Sequence, residues 1–251
     1  MKKSFLKFDR PWLTGFIITD EAEAAIEMVK KGIREGADSI GIEITRLKPE
    51  YWNRETLTRI FEACGDLPIY ACCYRTGYGE GKTDDELAEL MHLSLSCGAT
   101  LIDVMGDLYD PVPWELTEDP EAVKKQKALI EELKDKGAEI LISSHNHAFY
   151  DTEHILHWAK EQEARGADVV KIIGIADTEE ELVTNLKTYQ VLNAELEKPY
   201  LFMVGGEWCM LTRECAGRLG AFMYLGRLFE DGVQPKLETL RYMRDEMILK
   251  D

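Results

Sequence analysis

Short apolar segments and longer amphipathic segments alternate regularly along this chain of 251 residues, and few folds accept such a pattern. The strand-like runs are residues 16–19, 39–44, 69–74, 101–105, 139–144, 169–175, 200–204 and 221–225. Each is followed by a helical segment, which predicts a parallel sheet with helical crossovers. Eight such units in about 250 residues is the size of a (β/α)8 barrel. We therefore expect residues 1–251 to form a single α/β domain with the (β/α)8 TIM-barrel fold.

Four joints between a predicted helix and the next strand look alike. They are Gly36-Ala37, Gly98-Ala99, Gly137-Ala138 and Gly166-Ala167. Glycine readily adopts the left-handed conformation that commonly ends a helix. A doubly wound sheet is the alternative fold, but no Gly-x-Gly-x-x-Gly turn follows the first strand. The repeated joints therefore favour the barrel.

Composition restricts the partners and the compartment. The chain has 30 basic and 47 acidic residues, a net charge of −17, so it repels phosphate backbones and nucleic acid is not an expected partner. No stretch approaches the ~20 apolar residues of a membrane span, and no apolar run follows the basic start as in a signal peptide. The six cysteines form no Cys-x-x-Cys pair and are typical of free thiols in a reducing compartment. We expect a cytoplasmic protein with no membrane partner.

Lys171 stands in the middle of the apolar run 169–175. Burial disfavours a charged ammonium, so such a lysine is either paired with a carboxylate or kept partly neutral. A neutral lysine is a nucleophile that forms Schiff bases with ketones. A structural lysine, paired or at the edge of the sheet, is the other interpretation of this strand.

Polar residues also follow other predicted strands, at the face of a barrel where active sites lie. They are Glu43, Arg75, Glu80, Asp103, His145, His147, Arg213 and Gln234. Each alone is more often structural than functional. Together with Lys171 they place an amine, imidazoles, carboxylates and guanidiniums at one end of the barrel, which indicates a functional site.

Several of these segments, taken in order, resemble the type I 3-dehydroquinate dehydratase family, whose members use a lysine Schiff base. The most specific match is the segment from Gly166 to Ile172, which is similar to the family's Gly-Ala-Asp-x-x-Lys-(Ile/Val). The weaker matches are Ile42-Glu43-Ile44, Tyr74-Arg75 followed by Glu80-Gly81, Ser143-Ser144-His145-Asn146, Leu211-Thr212-Arg213 and Gln234. The resemblance covers most of the chain.

The resemblance implies a role for each residue. Lys171 forms the imine and His145 transfers protons. Glu80 orients the imidazole. The substrate, a cyclic hydroxy keto acid, is held at its carboxylate by Arg213 and Gln234, and at its ring hydroxyls by Glu43 and Arg75. The resemblance implies no metal and no cofactor, and a homodimer as the assembly.

The sequence departs from the family pattern at several places, and two of them bear on how the substrate hydroxyls would be held. The family usually has an arginine two residues after the glutamate of strand two, where this chain has Thr45, and Arg46 is expected on the opposite pleat. The loop from Arg75 to Glu80 is one residue longer than usual, which could displace Glu80. His147 is a second candidate for the acid–base group, depending on how the end of strand five is aligned.

Other functions remain open from the sequence. Glu43, Asp103, His145 and His147 could hold a divalent cation in a metal-dependent sugar isomerase or epimerase on the same barrel. A lysine aldolase would break a C–C bond instead of expelling water. A family member that only binds small acids would show saturable binding without turnover.

Overall fold

The computed structural model describes residues 3–228 and 234–246. The strands are β1 Trp12–Ile17, β2 Ser39–Glu43, β3 Ile69–Cys72, β4 Leu101–Met105, β5 Glu139–His145, β6 Val169–Ile175, β7 Tyr200–Gly205 and β8 Met223–Arg227. The α-helices that follow them are α1 Ala22–Arg34, α2 Arg54–Glu62, α3 Asp84–Cys97, α4 Pro120–Asp135, α5 Thr152–Ala164, α6 Glu179–Glu195, α7 Cys209–Cys215 and α8 Leu237–Asp245. The predicted alternation of strands and helices is confirmed.

The strands form one parallel sheet in the order β7-β6-β5-β4-β3-β2-β1-β8. The two end strands, β7 and β8, approach each other. The amide of Phe222, just before β8, donates to the carbonyl of Tyr200 in β7 at 2.8 Å. The sheet therefore curves into a nearly closed barrel with the helices outside, which confirms the predicted (β/α)8 fold. The carboxyl ends of all eight strands lie at one rim.

The strands are apolar because the barrel buries both of their faces. Every residue of β2, β3 and β4 is buried. The helices bury only one face, and in α1 the buried positions recur with the three- and four-residue spacing of an amphipathic helix. None of the helices within 3–228 and 234–246 is long and apolar enough to cross a membrane.

The glycines that follow four of the helices adopt the predicted left-handed conformation. Gly36, Gly98, Gly137 and Gly166 all have positive φ, between 92° and 116°. In two of the joints the next polar residue also supports the barrel. The carboxylate of Asp38 accepts a hydrogen bond from the amide of Leu13 in β1 at 2.7 Å, and that of Asp168 accepts from Ile140 in β5 at 2.9 Å. Each aspartate thus ties the start of its own strand to an adjacent strand.

The first strand begins earlier than predicted, at Trp12 instead of Phe16. Thr14 and Gly15 interrupt the apolar run that marks a buried strand. Inside the barrel, however, the hydroxyl of Thr14 pairs with that of Ser39 at 2.7 Å, so its burial leaves no polar group unsatisfied. The last predicted helix, 235–249, is observed as α8, and residues 247–251 lie outside the described part of the chain.

Candidate functional site

A cavity of about 500 Å³ opens at the carboxyl ends of the strands. Seven of the polar residues named from the sequence line it: Glu43, Arg75, His145, His147, Lys171, Arg213 and Gln234. Glu80 is exposed and is not part of the lining, whereas Asp103 is buried on β4. The structure therefore brings most of the predicted site together.

Lys171 lies on β6 with its amine in the barrel and a residue exposure of only 3%. The amine, Nζ, is 2.6 Å from the hydroxyl of Tyr74, 3.0 Å from that of Tyr70 and 3.3 Å from Oδ2 of Asp103. These three oxygens match the three hydrogens of an ammonium. The lysine is thus paired with a carboxylate, as one interpretation of this strand required, and it also faces the cavity.

Asp103 is the centre of a buried polar cluster. Both tyrosine hydroxyls, of Tyr70 and Tyr74, donate to its Oδ2, and the hydroxyl of Ser143 donates to Oδ1 at 2.5 Å. Burial opposes ionisation of Asp103, but the charges of Lys171 and His145 and these hydroxyls outweigh it, so the pKa of Asp103 lies below its ordinary value. The carboxylate is therefore ionised at neutral pH.

The imidazole of His145 is held by Glu115. One oxygen of this carboxylate, Oε2, lies 2.8 Å from Nδ1 of His145 and accepts the backbone amide of His145 at 2.9 Å. Burial would raise the pKa of Glu115, but the hydrogen bond and charge of His145 outweigh it and the pKa lies below its ordinary value. A carboxylate in this position fixes the tautomer of an imidazole and stabilises its cation. His147 is exposed at the cavity edge.

The sequence interpretation missed Glu115 and assigned its position to Glu80. Glu115 lies in the long loop between β4 and α4, which the family segments do not include. The signal that could have identified it was the length of this loop, residues 106–119 between β4 and α4. Its backbone is left-handed, with φ 49°, which no sequence pattern predicts for a glutamate.

Glu80 is displaced by the fold of its own loop. Residues Gly77–Gly79 form a short 3-10 turn that packs against Thr45. A Cβ at Gly79 would come within 2.1 Å of the carbonyl oxygen of Tyr74, so only glycine permits this approach. The turn takes up the extra residue of the loop, and Glu80 follows it at the exposed surface.

Arg75 lines the cavity, but its guanidinium is already occupied. It binds both carboxylate oxygens of Asp84 at 2.8 and 2.9 Å, and it donates to a carboxylate oxygen and the carbonyl of Asp107 at 2.8 and 3.0 Å. A fifth contact, of 3.8 Å, joins Nη1 to the sulfur of Met105. All five N–H groups have acceptors, so this geometry does not support the predicted contact with substrate hydroxyls. Arg75 instead ties the loop after β3 to the loop after β4.

Arg46 occupies the place where a hydroxyl-binding arginine was expected. It lines the cavity and its Nε lies 3.2 Å from Oε1 of Glu43, which also accepts the hydroxyl of Thr76 at 2.5 Å. The expectation that Arg46 points to the opposite pleat is wrong. Residues Ile44–Arg46 form a 3-10 turn, so the alternation of a strand ends before Arg46.

Arg213 and Gln234 form the opposite wall of the cavity. Nη1 of Arg213 donates to Oε1 of Gln234 at 2.6 Å, and Nε donates to the carbonyl of Val204 at 3.2 Å. Burial of Arg213 lowers its pKa, which reflects the cost of keeping a guanidinium away from water. A buried cation that faces a cavity is a natural site for an anionic group of a ligand.

The residues of the alternative metal site do not form a cluster of free ligands. Within the described ranges, no group of three His, Cys, Asp or Glu side chains has the arrangement of a metal site. Asp103 already binds Lys171 and three hydroxyls, and Glu43 binds Arg46 and Thr76. Both carboxylates are therefore already engaged by other side chains of the protein.

This barrel resembles known proteins both in its sequence profile and in its structure. The type I 3-dehydroquinase family profile matches residues 16–245. The type I 3-dehydroquinate dehydratase from Clostridium difficile, with covalently modified comenic acid, has a TM-score of 0.78 at 19% identity over 93% of this chain and 91% of that one. The 3-dehydroquinate dehydratase from Geobacillus kaustophilus has a TM-score of 0.77 at 16% identity over 94% and 90%. No curated protein sequence matches.

At such identities the two solved structures establish the fold, and the family profile supplies the family. The profile begins in β1 and ends in α8, so it spans the barrel with its cavity. The chain belongs to the type I 3-dehydroquinase family.

Proposed function

We propose that this enzyme removes water from 3-dehydroquinate through a Schiff base on Lys171, giving 3-dehydroshikimate. The observation that carries the proposal is the position of the Lys171 amine, buried in a cavity that also holds His145 and Arg213. An amine whose neighbours can accept its proton becomes a nucleophile towards a ketone. Membership of the type I 3-dehydroquinase family, whose members are hydro-lyases, supports the same reaction.

The proposed chemistry needs one amine and one imidazole. Lys171 attacks the ketone, and the resulting protonated imine acidifies the neighbouring C–H because it accepts the electrons that the proton leaves behind. His145 takes that proton and returns it to the departing hydroxyl. Glu115 holds Nδ1 of His145 and leaves Nε2 for the transfer, so Glu115 takes the role that the resemblance gave to Glu80.

The residues on two walls of the cavity support an orientation for the substrate. Arg213, steadied by Gln234, is proposed to bind the carboxylate. Glu43 and Arg46 on the other side are proposed to hold the ring hydroxyls, with Arg46 in place of Arg75, to which the family resemblance gave that role. The scheme uses no metal and no cofactor.

Trapping the imine tests the proposal. With 3-dehydroquinate and borohydride, we expect the intact mass to rise by the reduced adduct and a peptide map to place the adduct on Lys171. Lys171→Arg keeps the charge but cannot form an imine, so it should lose both trapping and the ultraviolet absorbance of the enone product. His145→Ala should still trap substrate while eliminating water slowly.

The control is Lys30→Ala, which removes an exposed lysine paired with Glu27 and should leave turnover unchanged. If the enzyme turned over 3-dehydroquinate but its mass stayed unchanged after borohydride treatment, the Schiff-base scheme would be contradicted. Slow elimination in His147→Ala instead of His145→Ala would reassign the acid–base group. Saturable binding of 3-dehydroquinate without any product would identify a small-acid-binding protein.

We also propose a cellular compartment, the partners and an assembly for the enzyme. All six cysteines are free in the structure, which supports a reducing compartment such as the cytoplasm. The excess of acidic residues supports a small-molecule substrate and no nucleic-acid partner. A homodimer follows from the family resemblance alone, and light scattering coupled to size-exclusion chromatography would measure it.

A further inference from the structure

Tyr74 contacts the amine of Lys171 but has no role in the reaction proposed above. It follows β3, is half-buried and lines the cavity. Its hydroxyl accepts a hydrogen bond from Lys171 at 2.6 Å and donates one to Asp103. Tyr70 contacts the same two groups, but it is fully buried and does not line the cavity. Tyr74 is therefore the phenol that can contact lysine, aspartate and a bound ketone oxygen together.

We propose that Tyr74 is a further catalytic residue, which relays a proton between Lys171, Asp103 and the oxygen of the reacting ketone. The proposal rests on the proposed Schiff-base function and adds a mechanism for its first step. The Lys171 amine lies 3.3 Å from the carboxylate of Asp103, and a lysine in its ammonium form has no lone pair with which to attack. The active site must therefore remove one proton from Lys171 and later supply one to the leaving water.

The relay accounts for both protons. The phenol of Tyr74 passes its proton to Asp103 while it receives one from the ammonium of Lys171, which leaves a neutral amine and a neutral carboxyl. The lone pair of the amine forms the C–N bond, the C=O π electrons move to oxygen, and a proton shifts from nitrogen to that oxygen.

The same path then runs in reverse. Asp103 returns its proton through Tyr74 to the carbinolamine hydroxyl, the C–O bond breaks, and water leaves as the nitrogen lone pair forms the C=N bond. One hydrogen stays on the imine nitrogen and two leave in the water, which accounts for the three hydrogens of the ammonium. Asp103 ends as the carboxylate that it was at the start.

The environment of Tyr74 suits a relay better than a base. Burial and the charge of Asp103 raise the pKa of Tyr74 well above that of an ordinary phenol, so it does not persist as a phenolate. It can pass a proton only by gaining one at the same time. The ring of Tyr74 also packs edge-on against that of His145, with 5.0 Å between centroids, which places the relay and the acid–base group on one wall.

The test measures imine formation separately from dehydration. Enzyme and saturating 3-dehydroquinate are mixed and quenched with borohydride over time, and the adduct on Lys171 is followed by mass. Tyr74→Phe should slow trapping by about 10²-fold, the usual contribution of a positioned proton donor, with the same final extent. Tyr70→Phe removes hydrogen bonds to the same two groups without touching the cavity, and it should slow trapping far less.

A second measurement does not depend on a variant. Imine formation by the wild-type enzyme should be slower in D2O, because the relay moves two protons together. Equal slowing in Tyr74→Phe and Tyr70→Phe, or a trapping rate that is the same in D2O, would overturn the relay while leaving the Schiff-base function intact. No trapping of the wild-type enzyme would overturn both.

Discussion

Glu115 shows how a single side chain can hold a proton-transfer group from outside the strands. Its carboxylate binds both the backbone amide and Nδ1 of His145, and its carbonyl accepts the hydroxyl of Ser144 at 2.8 Å. The left-handed backbone at Glu115 costs on the order of 1–3 kcal/mol in a residue other than glycine. Three hydrogen bonds to β5 offset that cost.

We predict that Glu115→Gln lowers kcat by about 10²-fold and changes KM little, because the amide cannot stabilise the imidazolium that forms when His145 takes a proton. Steady-state kinetics by the ultraviolet assay would measure this. Glu80→Gln is the matched control and should behave as wild type, since Glu80 is exposed and lies outside the cavity. Loss of activity in Glu80→Gln alone would restore the assignment that the family resemblance implies.

At the level of elements, strands and loops differ in how far the sequence predicts them. Lys171 and His145 could be located because they stand in apolar strands, and the carboxyl ends of parallel strands meet at one rim. Glu115 and Arg46 could not, because their placement depends on a left-handed residue and a 3-10 turn, which leave no periodic pattern. Arg75 was placed correctly at the rim, but its partners come from the start of α3 and from the loop after β4.

Arg75 holds the start of α3 and the loop after β4 together. The guanidinium joins Asp84, at the start of α3, to Asp107, in the loop that carries Glu115. Arg165, directly after α5, fixes the same loop by donating to the carbonyls of Gly106 and Thr117. The position of Glu115 therefore depends on the hydrogen bonds that Arg75 and Arg165 make to its loop.

We predict that Arg75→Met lowers the free energy of unfolding by about 3 kcal/mol, because it leaves the buried Asp107 and the largely buried Asp84 without their partner. Urea denaturation would measure this loss. Arg59→Met is the matched control: its pair with Glu23 is exposed, so the unfolding midpoint should stay nearly unchanged. Equal effects in the two variants would mean that the Arg75 cluster adds nothing beyond an ordinary surface pair.

At the scale of the whole molecule, the large negative net charge destabilises the folded state through repulsion between like charges. The net charge of −17 is spread over a barrel that brings all these groups within a few nanometres of one another. Like charges repel over such distances at low ionic strength, and salt screens them beyond about 10 Å at 0.1 M. The arginines of the cavity have to attract an anionic substrate against this background.

We therefore predict that the Tm at pH 7 rises between 10 mM and 200 mM sodium chloride, by about 3 °C for each kcal/mol of repulsion that is screened. Differential scanning calorimetry would measure the shift. The control is the same titration near pH 4.8, the isoelectric point, where the net charge vanishes and the rise should disappear. A rise of equal size at both pH values would indicate chloride bound to the cavity arginines instead of screened repulsion. A fall at pH 7 would mean that ion pairs such as those of Arg75 outweigh the net charge.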